Sequence, residues 1–160
     1  MADSYTVISV LLLVSCLFHT CFASYPLPPF NWVGWANSTK SGVGRSASFE
    51  AIAVDANGNV YGAAQYISKV KVGGTQFTST GWRDVVLVKY SKTGTLLWSK
   101  NYEMYNIYKI VPTADCSTIY VTGILENAAT IGPDYITSYS MGNEDIFVAK
   151  IDASTGNGIW

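Results

Sequence analysis

Short runs of β-branched and aromatic residues, divided by Gly, Asn, Asp and Ser, recur along the chain from about residue 49 onward. Such punctuation reads as strands joined by turns. It predicts strands near 49–54, 59–67, 84–90 and 95–100, then near 107–111, 118–124, 145–151 and 157–160. The pairs Asn57-Gly58 and Thr93-Gly94 are expected to supply the positive φ of tight hairpin turns. Segments 68–83 and 125–144 read as long loops. No stretch holds an apolar period of about 3.6 residues, so helix should be minor.

The pattern repeats. Trp35, Trp98 and Trp160 are spaced by 63 and 62 residues. Asp84 to Trp98 parallels Asp145 to Trp160, and Ala51 to Gly62 is echoed by Tyr108 to Gly123. Two units of roughly 60 residues, each a four-stranded meander ending in a Trp, define the expected fold. It is all-β, two four-stranded antiparallel meander blades of an incomplete β-propeller. The expected boundaries are a signal peptide over 1–23, a leader over 24–44 with one strand around Trp35, and blades over 45–100 and 101–160. Trp35, Trp98 and Trp160 are the expected blade-docking residues. Burying one indole, about 150–250 Å² at ~25 cal/mol/Å², gives at most about 4–6 kcal/mol.

Ala53-Val54-Asp55-Ala56-Asn57-Gly58-Asn59-Val60-Tyr61-Gly62, with Gly81-Trp82-Arg83-Asp84-Val85-Val86-Leu87-Val88-Lys89-Tyr90, resembles the bacterial-type β-propeller repeat of large secreted and cell-surface proteins. Gly142 to Asp152 resembles the second half of that repeat. The ending Ile151 to Trp160 is also similar to the repeat of quinoprotein-like propellers. The resemblance covers roughly 45–160 and implies an architecture, since propeller repeats encode docking and not chemistry. Thr113-Ala114-Asp115-Cys116-Ser117 departs from the pattern, replacing its Asp-x-x-Gly-Asn turn.

The N-terminus changes what the composition means. Ile8 to Phe18 is an apolar run of 11 residues, too short to span a bilayer, and small residues follow at 21 and 23. It reads as a secretory signal peptide cut after Ala23, which makes the chain secreted. Lipid anchoring through Cys16 is the lesser alternative. Removal of residues 1–23 takes away His19, Cys16 and Cys21, leaving no His, and Cys116 as the one thiol, expected to be buried. The 10 Lys+Arg then face 10 acids, since Asp3 is lost from the original 11. Neutrality argues against nucleic acid as a partner.

Without His, triads, Cys-His dyads and His-based zinc sites drop out, so no catalytic, cofactor-binding or metal residue is assigned. Asp84 and Asp145 hold equivalent positions and are expected to accept turn N–H groups. Asp55 to Asn59 fits a hairpin turn better than a calcium loop. Lys69, Lys71, Lys89 and Lys92 are expected to be solvated. Asn37-Ser38-Thr39 is an N-glycosylation sequon. Tyr102, Tyr105 and Tyr108, read as a loop before the second unit, suit protein or sugar contacts.

The preferred function is a secreted or surface-displayed, non-catalytic interaction module, its long loops recognising an extracellular protein or carbohydrate. Two alternatives stay open: part of a propeller enzyme (a quinoprotein-like oxidoreductase or a hydrolase), or a small two-blade lectin that oligomerises. Rings take about four to eight blades. Two blades therefore imply a truncated product, an open fragment, or self-association through open blade faces, and the closure argument favours the first two.

Overall fold

The computed structural model describes residues 37–38, 47–126, 128–137 and 144–160. The expected signal peptide, Cys16, His19, Cys21 and Trp35 lie outside the described residues. Strands make up 66% of the described residues, none of which is helical, and the sheets are antiparallel and unclosed.

The first large sheet is built from β2 (Ala47–Val54), β3 (Val60–Tyr66), β6 (Asp84–Tyr90) and β7 (Leu96–Tyr102), in the order β2-β3-β6-β7. β1 (Asn37–Ser38) pairs with β4 (Lys69–Val72), which pairs in turn with β5 (Thr75–Thr78). β3 and β6 are covered on both faces, which is why β6 reads as a nearly continuous apolar run. On one face Tyr61, Ala63, Val85 and Leu87 join the main core. On the other, Ala64, Tyr66, Val86 and Val88 lie under Val70, Val72 and Phe77 of the β4–β5 hairpin.

The second large sheet repeats this plan. β8 (Asn106–Pro112), β9 (Thr118–Glu126) and β12 (Glu144–Asp152) form it in the order β12-β9-β8, and β10 (Ala128–Ile131) pairs with β11 (Asp134–Thr137). β2 bulges between Phe49 and Ala51, and β8 bulges at the matching place between Ile107 and Lys109. The strand expected over 157–160 is present only as a bridge between Gly158 and Ile151, extended by Lys150 N donating to Trp160 O (2.8 Å) and Ile159 N donating to Lys150 O (2.7 Å).

Several expectations change. Segment 68–83 and, among the described residues of segment 125–144, 128–137 form hairpins and not loops. Their strands are four residues long, with Val70 and Val72 or Ala129 and Ile131 turned inward and polar residues between. Gly73 and Gly74 both take positive φ, as a two-residue hairpin turn requires. In the longer hairpins only Gly58 and Gly94 do so; Asn57 and Thr93 do not. Each closes a turn with an extra residue, Gly58 N donating to Asp55 O (2.9 Å) and Gly94 N to Ser91 O (2.9 Å).

The departing turn of the second unit keeps this geometry with a different residue. Cys116 N donates to Thr113 O (2.9 Å), and Cys116 stands at φ 58° where its counterpart Gly58 stands at 81°. The thiol is free and half-buried rather than buried, because a hairpin turn offers it no core. A side chain in the left-handed region costs about 1 kcal/mol or more. Cys116→Gly is therefore expected to stabilise the chain by about 0.5–1 kcal/mol, read from urea denaturation under reducing conditions.

The two large sheets share one core, in which Tyr61, Leu87 and Tyr102 meet Ile107, Ile119, Ile151 and their neighbours. Polar bonds cross the seam. Lys89 Nζ (2.8 Å) and Trp98 Nε1 (3.1 Å) both donate to Ala153 O, and the Tyr102 hydroxyl donates to Gly156 O (2.6 Å). Lys89 is thus buried, not solvated, with its ammonium 5.0 Å from the centre of the Tyr61 ring. A cation excluded from water needs such partners.

Candidate functional site

The described surface with the most distinctive chemistry lies where the Ser79–Arg83 turn meets the link between β7 and β8. Asp84 fixes the turn. Its buried carboxylate accepts from Ser79 Oγ (3.2 Å), Thr80 N (3.4 Å) and Asn101 Nδ2 (2.9 Å). Asn101 Oδ1 in turn accepts the Tyr66 hydroxyl at 2.7 Å. Burial, reinforced by the charge of Asp84, raises the Tyr66 phenol above its ordinary value, so Tyr66 stays a donor.

This network orders the turn that carries Trp82 and Arg83. The Arg83 guanidinium sits 5.0 Å from the centre of the Trp82 ring and 5.1 Å from that of Tyr105. Gln65, on β3, binds both sides: its Oε1 accepts from Arg83 Nη1 (3.1 Å), and its Nε2 donates to Tyr105 O (2.8 Å). Arg83 Nε is buried without an acceptor. Buried donors left unpaired are rare and point to strain or to an unmet partner. Trp82, by contrast, is 66% exposed. The arrangement offers a fixed indole to solvent, backed by a cation.

The other residues singled out in the sequence fall in varied places. Tyr102 is a core residue of β7, Tyr105 underlies Arg83, and Tyr108 is an exposed residue in the β8 bulge. The Asp55 carboxylate accepts from Asn57 N, Asn59 N, Asn59 Nδ2 and the Tyr61 hydroxyl, all within 3.0 Å. Burial pushes its pKa up, but the bonds from Asn59, Tyr61 and Asn57 outweigh it, and the net shift is downward. Asp152 caps the turn that carries Ala153 and Gly156, and the bonds that make the cap, first the Ser154 side-chain bond and then those of Thr155, lower its pKa to about 2. Asp145 is half-buried at the start of β12. Asn37 lies in β1, in register with Lys71.

Trp98 lies at the seam between the large sheets, whereas Trp160 is 48% exposed with its ring 6.1 Å from that of Tyr120. A cleft of about 300 Å³ opens beside the seam, lined by Lys100, Tyr102, Thr130, Gly132 and Asn157 among others. No three His, Cys, Asp or Glu side chains converge among the described residues. No helix of the described residues is long and apolar enough to cross a membrane. Trp82, Arg83 and Gln65 carried no sequence assignment, although an aromatic-basic pair inside an expected loop was a usable signal. No family model, curated protein or solved structure matches the chain.

Proposed function

We propose that the chain is a secreted or surface-displayed β-propeller-repeat segment that works as a non-catalytic interaction module, each large sheet being one blade. Repeated strand order, matching bulges and an inserted hairpin in each unit support the blade reading. One observation carries the binding reading: Trp82 is widely exposed, yet its position is fixed by Arg83 over Tyr105. Ordering an aromatic ring before a ligand arrives reduces what binding must spend on ordering it.

The ligand is an extracellular protein or carbohydrate presenting an apolar face to the indole and acceptor oxygens to the guanidinium. Stacking and hydrogen bonding suffice for this, with no nucleophile or general base. Export of the chain and a glycan on Asn37 belong to the same proposal. Probing a glycan array and an extracellular-protein array with the purified chain should find a ligand. Trp82→Ala should weaken its binding at least about 30-fold with unchanged far-UV circular dichroism. Equal binding by the variant, or turnover of a bound ligand, would overturn the reading.

A further inference from the structure

The face that the first sheet buries against the second has a counterpart on the second sheet, and among the described residues that counterpart is largely exposed. Strand register matches the positions pairwise. Tyr61 pairs with Ala53 and Lys89, as Tyr120 pairs with Val111 and Lys150. Val85 and Leu87, fully buried, correspond to Ile146 and Val148, which are 90% and 62% exposed. The aromatic group is also duplicated. Tyr61 and Trp98 lie 6.1 Å apart with Lys89 over the tyrosine, and Tyr120 and Trp160 lie 6.1 Å apart with Lys150 over Tyr120 at 5.9 Å.

The surface that receives the first face is duplicated as well. On the second sheet it includes Ile107, Ile110 and Pro112 of β8 and the carbonyl of Ala153. By the same register, its counterpart on the first sheet is Phe49, Ile52 and Val54 of β2, with the carbonyl of Lys92. Phe49, Ile52 and Val54 are 41%, 50% and 59% exposed. Two complementary halves of one known interface are thus left open on opposite sides of the molecule. Monomers rarely expose contiguous apolar patches beyond a few hundred Å².

We infer that the outer face of the second sheet docks a second copy of this chain, head to tail, on its Phe49–Ile52–Val54 face. The seam within the chain supplies the template. Trp160 Nε1 and Lys150 Nζ would donate to Lys92 O of the next copy, as Trp98 and Lys89 donate to Ala153 O. Such a heterologous contact closes into a ring if its rotation permits, and otherwise extends as a chain. It shares no residue with the Trp82 surface, so either proposal can fail while the other stands.

Sedimentation of the purified full chain over a concentration series tests it. The chain should associate. Ile146→Glu and Ile52→Glu, both at exposed positions, should each weaken association at least about 30-fold, with far-UV circular dichroism unchanged. Mixed in equal amounts, the two variants should form a capped dimer and nothing larger, because each retains the face the other has lost. A chain that stays monomeric at every concentration would overturn the inference. Continued association of Ile52→Glu alone would also overturn it, since that places the outer face against itself. Trp160→Ala should weaken association while leaving the denaturation midpoint of the monomer nearly unmoved.

Discussion

Gly123→Ala is expected to lower stability by about 3 kcal/mol, roughly 10 °C in Tm. Gly123 is the residue of β9 opposite both Phe147 and the bulged Ile107. A methyl group there would overlap the Asn106 carbonyl oxygen and stand 2.9 Å from both the Asn106 carbonyl carbon and the Ile107 Cα. All three are main-chain atoms. They cannot swing aside as the tip of a side chain could. Asn106 is itself buried, and its Oδ1 accepts from Ile107 N at 2.8 Å, which ties the bulge shut. The first sheet carries Ala64 opposite Phe49 at the matching place, so the effect belongs to the approach of Asn106 and not to the strand position as such. Gly81→Ala is the control, since nothing lies within 4 Å of the added carbon. Thermal unfolding followed by circular dichroism separates the two, and a Gly123→Ala shift below a few degrees would contradict the packing argument.

Trp98→Ala should cost about 3 kcal/mol, within the range for removing a large core ring, while Trp160→Ala should cost under about 1 kcal/mol in the isolated chain. The two tryptophans hold equivalent positions, but among the described residues only Trp98 packs against the other large sheet. Its ring packs on the shared core beside Tyr61, and its Nε1 reaches Ala153 O. It also stands against Gly156, where an added carbon would approach its ring at 2.8 Å. Trp98→Phe isolates the polar part. Lys89 still donates to Ala153 O, so the carbonyl keeps a partner and the loss from the missing bond should be about 1 kcal/mol. Urea denaturation midpoints at constant slope measure all three. Equal effects of Trp98→Ala and Trp160→Ala would show that packing between the sheets contributes little.

Much of the strand order was legible because the long strands are rich in Val, Ile, Tyr and Phe and are cut by Gly and Asn. The spacing of Trp98 and Trp160 placed the repeat for the same reason. The β4–β5 and β10–β11 hairpins were not legible. Four-residue strands that alternate Lys69 and Lys71 with Val70 and Val72 resemble any polar loop. Nor was the burial of Lys89, because its acceptor is a main-chain carbonyl 64 residues further along. Trp82 and Arg83 lay in a segment expected to carry recognition, but Tyr105 and Gln65, which fix them, come from other elements. Only the fold brings them together.

The seam bonds share a property with consequences for which substitutions the seam tolerates. Among the described residues, the side chains of Lys89, Trp98 and Tyr102 donate across it, and the acceptors are the main-chain oxygens of Ala153 and Gly156. A backbone oxygen survives substitution of its own residue. Substitution at Ala153 therefore leaves both of its donors an acceptor while the turn keeps its shape, whereas Gly156, at φ 72° with the Trp98 ring 2.8 Å from an added carbon, admits no side chain. The contact asks for the shape of the turn on one side of the seam and for the donor side chains on the other.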